Sequence, residues 1–166
     1  MSPAGSRPPL RFSGDTLLLV DVGASMDEGV HRRVMAMTQA VTAAALAGVR
    51  DVVPAYTCVG VHVDPRQLDL AALERVIDTA WATVDAASAA ARRTVEIPVC
   101  YGGEFGPDLE EVSTATGYSA AEVIGRHTAV TYTVFMLGFL PGFAYLGALD
   151  PSLTMSRRTS PRDAVP

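Results

Sequence analysis

The side chains best suited to chemistry lie in the last third of the chain. Arg157, Arg158 and Arg162 fall within six residues on a proline-bearing stretch. A guanidinium offers a planar fork of donors that matches a carboxylate or phosphate, so this cluster suits an anionic ligand or an ion-paired contact. His127 follows a predicted helix, where the helix dipole favours an imidazolium. It could hold an anion, shuttle a proton or cap the last carbonyls. Gly138–Gly147 (GFLPGFAYLG) contains three glycines, one proline and the aromatics Phe139, Phe143 and Tyr145. Such a segment can bring backbone amides and ring faces to a flat ligand, or fill a barrel mouth or subunit interface.

Other candidates are weaker. Asp108, Glu110, Glu111 and Glu122 read as caps and first-turn acids, and His31 and His62 have no partner motif. No G-x-x-x-x-G-K-[ST] phosphate loop, nucleophile elbow or Ser-His-Asp pattern is present. Cys58 and Cys100 are too few and too far apart for a zinc cluster or disulfide framework, and are expected to be free, buried thiols. No metal is expected.

These residues need elements to hold them. Asp15–Gly23 is a short apolar run that predicts a strand. Ser25 with Glu28 gives a helix-starting S-x-x-E pattern, followed by a stripe of Val30, Val34, Met37, Val41 and Ala45 that closes at Gly48. Val49–Ala55 and Thr57–Val63 predict a hairpin. Leu70, Leu73, Ile77, Trp81 and Val84 mark a second helix running into Ala86–Ala91, and Thr94–Cys100 predicts a further strand. The order βαββαβ is that of a ferredoxin-like domain, expected over residues 11–100 after a leader at 1–10, with the first strand between the third and fourth. In the remainder, 101–166, Asp108/Glu111 and Ser119/Glu122 predict two short helices in tandem, and Ala129–Leu137 a strand. From Asp150 onward there is no periodicity, and this second unit reads as cut short.

The chain has 166 residues, 49% apolar and 19% charged, enough to build a core. Its net charge of −5 opposes phosphate-backbone binding, so no nucleic-acid partner is expected. No signal-peptide or bilayer-length apolar run is visible, which predicts a soluble, cytoplasmic chain with no membrane partner.

Ile97–Pro166 resembles the family of KipI, PxpB and allophanate hydrolase subunit 1, related to the carboxyltransferase part of urea carboxylase. The resemblance is carried by Gly106-Pro107-Asp108-Leu109, Gly125-Arg126-His127-Thr128, Gly138-Phe139, Pro141–Gly147, and Arg157-Arg158 followed by Pro161-Arg162. It implies an α+β chain in which the ferredoxin-like domain precedes a cyclophilin-like β-barrel, here incomplete. It also implies a PxpC/KipA-type partner, and a PxpA-type subunit with which the pair opens 5-oxoproline using ATP. Allophanate hydrolysis, carboxyl transfer and inhibition of a histidine kinase are the alternatives. The site residues expected on this basis are His127 and Arg158 for catalysis, and Phe139, Phe143, Tyr145, Arg157 and Arg162 for substrate.

Overall fold

The computed structural model describes residues 8–83, 93–147 and 149–161. It is a mixed α/β chain that divides into two compact units, 1–92 with 135–145, and 93–134 with 146–166.

The first unit is built on a four-stranded antiparallel sheet: β1 (Leu10–Phe12), β2 (Leu17–Asp21), β3 (Val49–Pro54) and β4 (Cys58–Val63), in the order β1-β2-β4-β3. Strand alternation puts Leu18 opposite Val61 and Val20 opposite Val59, and all four side chains are buried. Helices α1 (Glu28–Ala43) and α2 (Leu70–Thr83) complete this core. The stripe Val30, Val34, Met37, Val41 from α1 and Leu73, Ile77 from α2 join the sheet residues in one cluster. Each such burial contributes roughly 1.5–3 kcal/mol.

Several expectations are corrected here. Thr94–Cys100 forms no strand, and its residues are exposed, with Ile97 at 74%. An alternating apolar run has strand propensity, but a ladder needs a partner with free backbone groups. Beside β2 that place is taken by Leu10–Phe12, a segment in which the sequence predicts no element. Cys100 is therefore exposed, not buried on a strand, whereas Cys58 is half-buried and its thiol is pushed up by burial. Helix α1 is capped by Asp27, not Ser25. The Asp27 carboxylate accepts the Val30 N–H at 2.8 Å, and the Ser25 hydroxyl donates to Asp27 at 2.7 Å. With Glu28 at the first helical position, the reciprocal Ser–Glu box cannot form. The helix ends at Ala43, and Gly48 serves the turn into β3 instead. Val84 and Ala86–Ala91 lie outside the described residues.

In the second unit α3 (Leu109–Thr116) and α4 (Ala120–Thr128) are separated by Gly117, whose φ of +75° supplies the left-handed cap. The Ser119/Glu122 capping box is complete: Glu122 accepts from the Ser119 N–H at 2.8 Å, and the Ser119 hydroxyl accepts from the Glu122 N–H at 3.4 Å. Ser119→Ala is expected to lower stability by about 1 kcal/mol in a urea titration. The expected Asp108/Glu111 box is absent. Asp108 has helical backbone angles (φ −88°, ψ −5°), whereas a capping residue needs an extended backbone. A short helical turn, Pro151–Leu153, packs its buried Leu153 near α3 and α4.

The strand expected over Ala129–Leu137 is only β5 (Thr133–Leu137), because α4 runs on to Thr128. The segment expected to be a loop, Gly138–Gly147, turns back at Phe139–Gly142 and ends in β6 (Ala144–Gly147), which pairs with β5.

Acid should weaken this fold. Backbone N–H donors at Val30 and Ser152 hold the Asp27 and Asp150 carboxyls below the ordinary carboxylate range, as the Ser119 hydroxyl and amide do for Glu122. A folded pKa below the unfolded value near 4 gives stabilisation that is present above that value and lost as pH falls through the folded one. The urea midpoint is expected to drop between pH 5 and pH 3, and less steeply in Asp27→Asn, whose amide still caps α1.

Candidate functional site

The candidate residues are held in three places. The first is an open cavity of about 510 Å³ in the second unit, formed by Glu111 and Ala115 of α3 and the run Thr154–Ser160. Both Arg157 and Arg158 line it, but their states differ. The Arg158 guanidinium donates through Nη1 to Asp108 at 3.1 Å and to Glu111 at 3.0 Å. Two acids from the start of α3 thus hold this cation and tie the Thr154–Ser160 run to the helix. Arg157 is exposed and has no ion pair or hydrogen bond among the described residues. The hydroxyl-bearing residues Thr154, Ser156, Thr159 and Ser160 line the same cavity. An exposed guanidinium beside hydroxyl-bearing residues has the donors to pair with a small oxyanion. Arg162 lies outside the described residues.

The second place is the end of α4. His127 stands in the last helical turn, half-buried, with Nδ1 2.5 Å from the Tyr101 hydroxyl. The Tyr101 ring meets it edge-on at 5.7 Å, and the Tyr132 ring lies against it at 5.4 Å. The Tyr132 hydroxyl donates to the His127 carbonyl at 2.9 Å. Burial raises the Tyr132 pKa, so this phenol remains a donor at neutral pH. The preceding residue, Arg126, donates to Asp150 at 3.4 Å and to Ser152 at 3.3 Å, with its guanidinium 4.2 Å from the Tyr118 ring centre. Neither Tyr101 nor Tyr132 is a candidate by sequence. Tyr132 falls in a predicted strand, and nothing local marks Tyr101, which is 26 residues from its partner.

The third place belongs to the first unit. Phe139, Phe143 and Tyr145 are brought together around the β5–β6 turn, with ring centres 5.6 and 5.2 Å apart in edge-to-face contact. The run continues through Tyr56, 6.0 Å from both Tyr145 and Phe135, to buried His31, 4.9 Å from Phe135. It begins at Phe139, which is 81% exposed and has a φ of +68°, an uncommon conformation for a residue with a side chain. One end is therefore open to a ligand or partner while the other is anchored in the core.

Among the described residues no cluster of three His, Cys, Asp or Glu could hold a metal ion, and no helix is long and apolar enough to cross a membrane.

A two-unit α/β chain with an arginine-lined cavity and an aromatic turn matches a family model described as carboxyltransferase domain, subdomain C and D, over residues 8–166. The chain belongs to that family. It is 35% identical over 163 residues to the B subunit of 5-oxoprolinase from Bacillus subtilis (strain 168), covering 92% of this chain and 68% of the relative. To the corresponding 5-oxoprolinase B subunit of Escherichia coli O157:H7 it is 34% identical over 154 residues, covering 92% and 69%. Among solved structures, a crystal form of TTHA0988 superposes with a TM-score of 0.77 at 35% identity, over 90% of this chain. The chain spans 29% of the TTHA0988 chain, under a third of its length.

Proposed function

We propose that this chain acts as the B-type subunit of an ATP-dependent 5-oxoprolinase, contributing part of a shared site at which an amide-type C–N bond is hydrolysed. The observation that carries the reading is the similarity to two 5-oxoprolinase B subunits over 92% of the chain. The geometry supports it through chemistry. 5-Oxoproline is a small cyclic amide bearing a carboxylate, and Arg157 in its hydroxyl-lined cavity provides a complementary cation. His127 is a polar group suited to a reacting carbonyl, and Phe139, Phe143 and Tyr145 offer apolar faces to a flat ring or a neighbouring subunit.

In this reading the partner is a PxpC/KipA-type subunit, with a PxpA-type subunit completing the complex. The first unit corresponds to the ferredoxin-like domain and the second to the opening part of a cyclophilin-like barrel. ATP is consumed by the complex. The sequence contains no lysine and no phosphate loop, so any phosphate contact from this chain would come from arginine or backbone amides.

The test is glutamate release from 5-oxoproline, with and without ATP, by this chain mixed with its PxpC-type and PxpA-type partners. ATP-dependent turnover that stops when this chain is omitted supports the reading. An assembled complex without turnover overturns it. The family model favours one second reading, carboxyl transfer of the urea carboxylase kind. It predicts carboxylation dependent on a biotin-bearing partner under conditions where 5-oxoproline is not opened.

A further inference from the structure

The imidazole of His127 lies between two phenols. The Tyr101 hydroxyl meets Nδ1, the Tyr132 ring lies against the imidazole ring, and the Tyr132 hydroxyl donates to the His127 backbone carbonyl. Among the described residues the titratable groups in contact with it are these two phenols, and the neighbouring Arg126 is committed to Asp150 and Ser152.

One arrangement of protons in this contact pairs both groups with each other. The Tyr101 side chain is a phenol, whose O–H can donate one hydrogen bond and whose oxygen can accept. Its hydroxyl has no hydrogen-bond partner among the described residues besides His127 Nδ1. If Nδ1 carried the imidazole proton, it would point at the phenol oxygen and leave the Tyr101 hydroxyl proton with no acceptor among the described residues. If Tyr101 donates to the Nδ1 lone pair, both groups are satisfied and the ring proton resides on Nε2. Nε2 has no hydrogen-bond partner among the described residues.

We propose that Tyr101 is a positioning residue that locks His127 in its Nε2–H tautomer, and that Nε2–H is the hydrogen-bond donor to the carbonyl oxygen of a small cyclic amide or ureido acid. A neutral imidazole in this state stabilises the oxyanion that grows as the carbonyl is attacked, without surrendering a proton. The ligand part of this inference rests on the amide-hydrolysis reading above; the tautomer part does not.

The tautomer is read by long-range proton–nitrogen correlation spectra of the nitrogen-15-labelled chain at neutral pH. The chain has only three histidines, and His127 is assigned by its loss in His127→Gln. The expected spectrum has Nδ1 in the unprotonated range and Nε2 in the protonated range. In Tyr101→Phe, which removes one oxygen, both nitrogens should move toward the averaged values of a tautomer mixture, while an unchanged backbone amide spectrum shows that the fold is intact. A protonated Nδ1 in the parent chain overturns the proposal, as does an unaltered pattern in a folded Tyr101→Phe. In the reconstituted complex Tyr101→Phe should lower kcat about 10–100-fold with KM little changed, and His127→Gln, which keeps a side-chain N–H donor, should retain more activity than His127→Ala. Unchanged kcat in Tyr101→Phe overturns the ligand part. Absence of turnover in the parent complex overturns the amide reading and its ligand role together, and the spectra alone then decide the tautomer.

Discussion

Gly48→Ala is expected to destabilise the chain by more than ~2 kcal/mol, and Gly117→Ala by only about 1 kcal/mol, although both glycines have the same backbone twist. Their φ values are +82° and +75°, so each substitution carries the same penalty for placing a Cβ in the left-handed region. They differ in what that Cβ would meet. At Gly117 nothing lies within 4 Å. At Gly48 the new atom would stand 2.5 Å from the Leu68 nitrogen and 2.6 Å from the Gln67 carbonyl carbon, both backbone atoms that cannot rotate away.

The turn that approaches Gly48 is itself fastened. The Asp64 N–H donates to the Gly48 carbonyl at 2.7 Å, and the Asp64 carbonyl accepts from Gln67 and Leu68 at 3.1 and 3.0 Å. The Asp64 carboxylate takes the Arg50 guanidinium at 2.6 Å and the Arg66 N–H at 3.1 Å. Relieving the clash means breaking part of this network, which leads from β4 into α2. Urea unfolding of the two variants separates the steric effect from the conformational one. Equal losses would show that the 64–68 turn yields freely and that its approach to Gly48 carries no steric cost.

Which parts of this molecule are legible from sequence follows from how far apart the partners lie. The sheet strands β2, β3 and β4 and the stripes of α1 and α2 can be read directly because each is a local pattern whose period matches its element. The Ser119/Glu122 box is legible for the same reason. Sequence misleads where a local pattern competes with something distant. Thr94–Cys100 alternates as a strand should, yet the position beside β2 belongs to Leu10–Phe12, a short segment hidden behind a proline-rich stretch. Asp108 and Glu111 have capping-box spacing, yet both are directed at Arg158, 50 and 47 residues away. Likewise Phe139, Phe143 and Tyr145 are legible as a group because one turn gathers them, whereas Tyr56 and His31 extend that run from elsewhere in the chain.

The same distinction separates the two adjacent arginines, for which the family resemblance implies catalysis at Arg158 and substrate binding at Arg157. Arg157→Ala is expected to raise KM for 5-oxoproline roughly 10–100-fold in the reconstituted complex, the loss of one charge-assisted contact of about 1.5–3 kcal/mol. The stability of the chain should change by less than ~0.5 kcal/mol, since Arg157 is exposed and has no ion pair or hydrogen bond among the described residues. Arg157→Lys keeps the charge but loses the planar fork and should fall between. Arg158→Ala acts elsewhere. It takes the cation away from Asp108 and Glu111, whose side chains are 46% and 56% exposed, and at that exposure the ion pairs are worth at most about 1 kcal/mol. Both acids sit at the start of α3, where the helix dipole favours negative charge. The lasting consequence is geometric: the Thr154–Ser160 run loses its tie to α3, so limited proteolysis there should accelerate while Arg157 keeps its charge in a less ordered cavity. The expected pattern is impaired KM with unchanged protease resistance for Arg157→Ala, and faster cleavage with a smaller KM effect for Arg158→Ala. A larger KM defect at Arg158, without faster cleavage, would reverse the assignment and make Arg158 the substrate ligand.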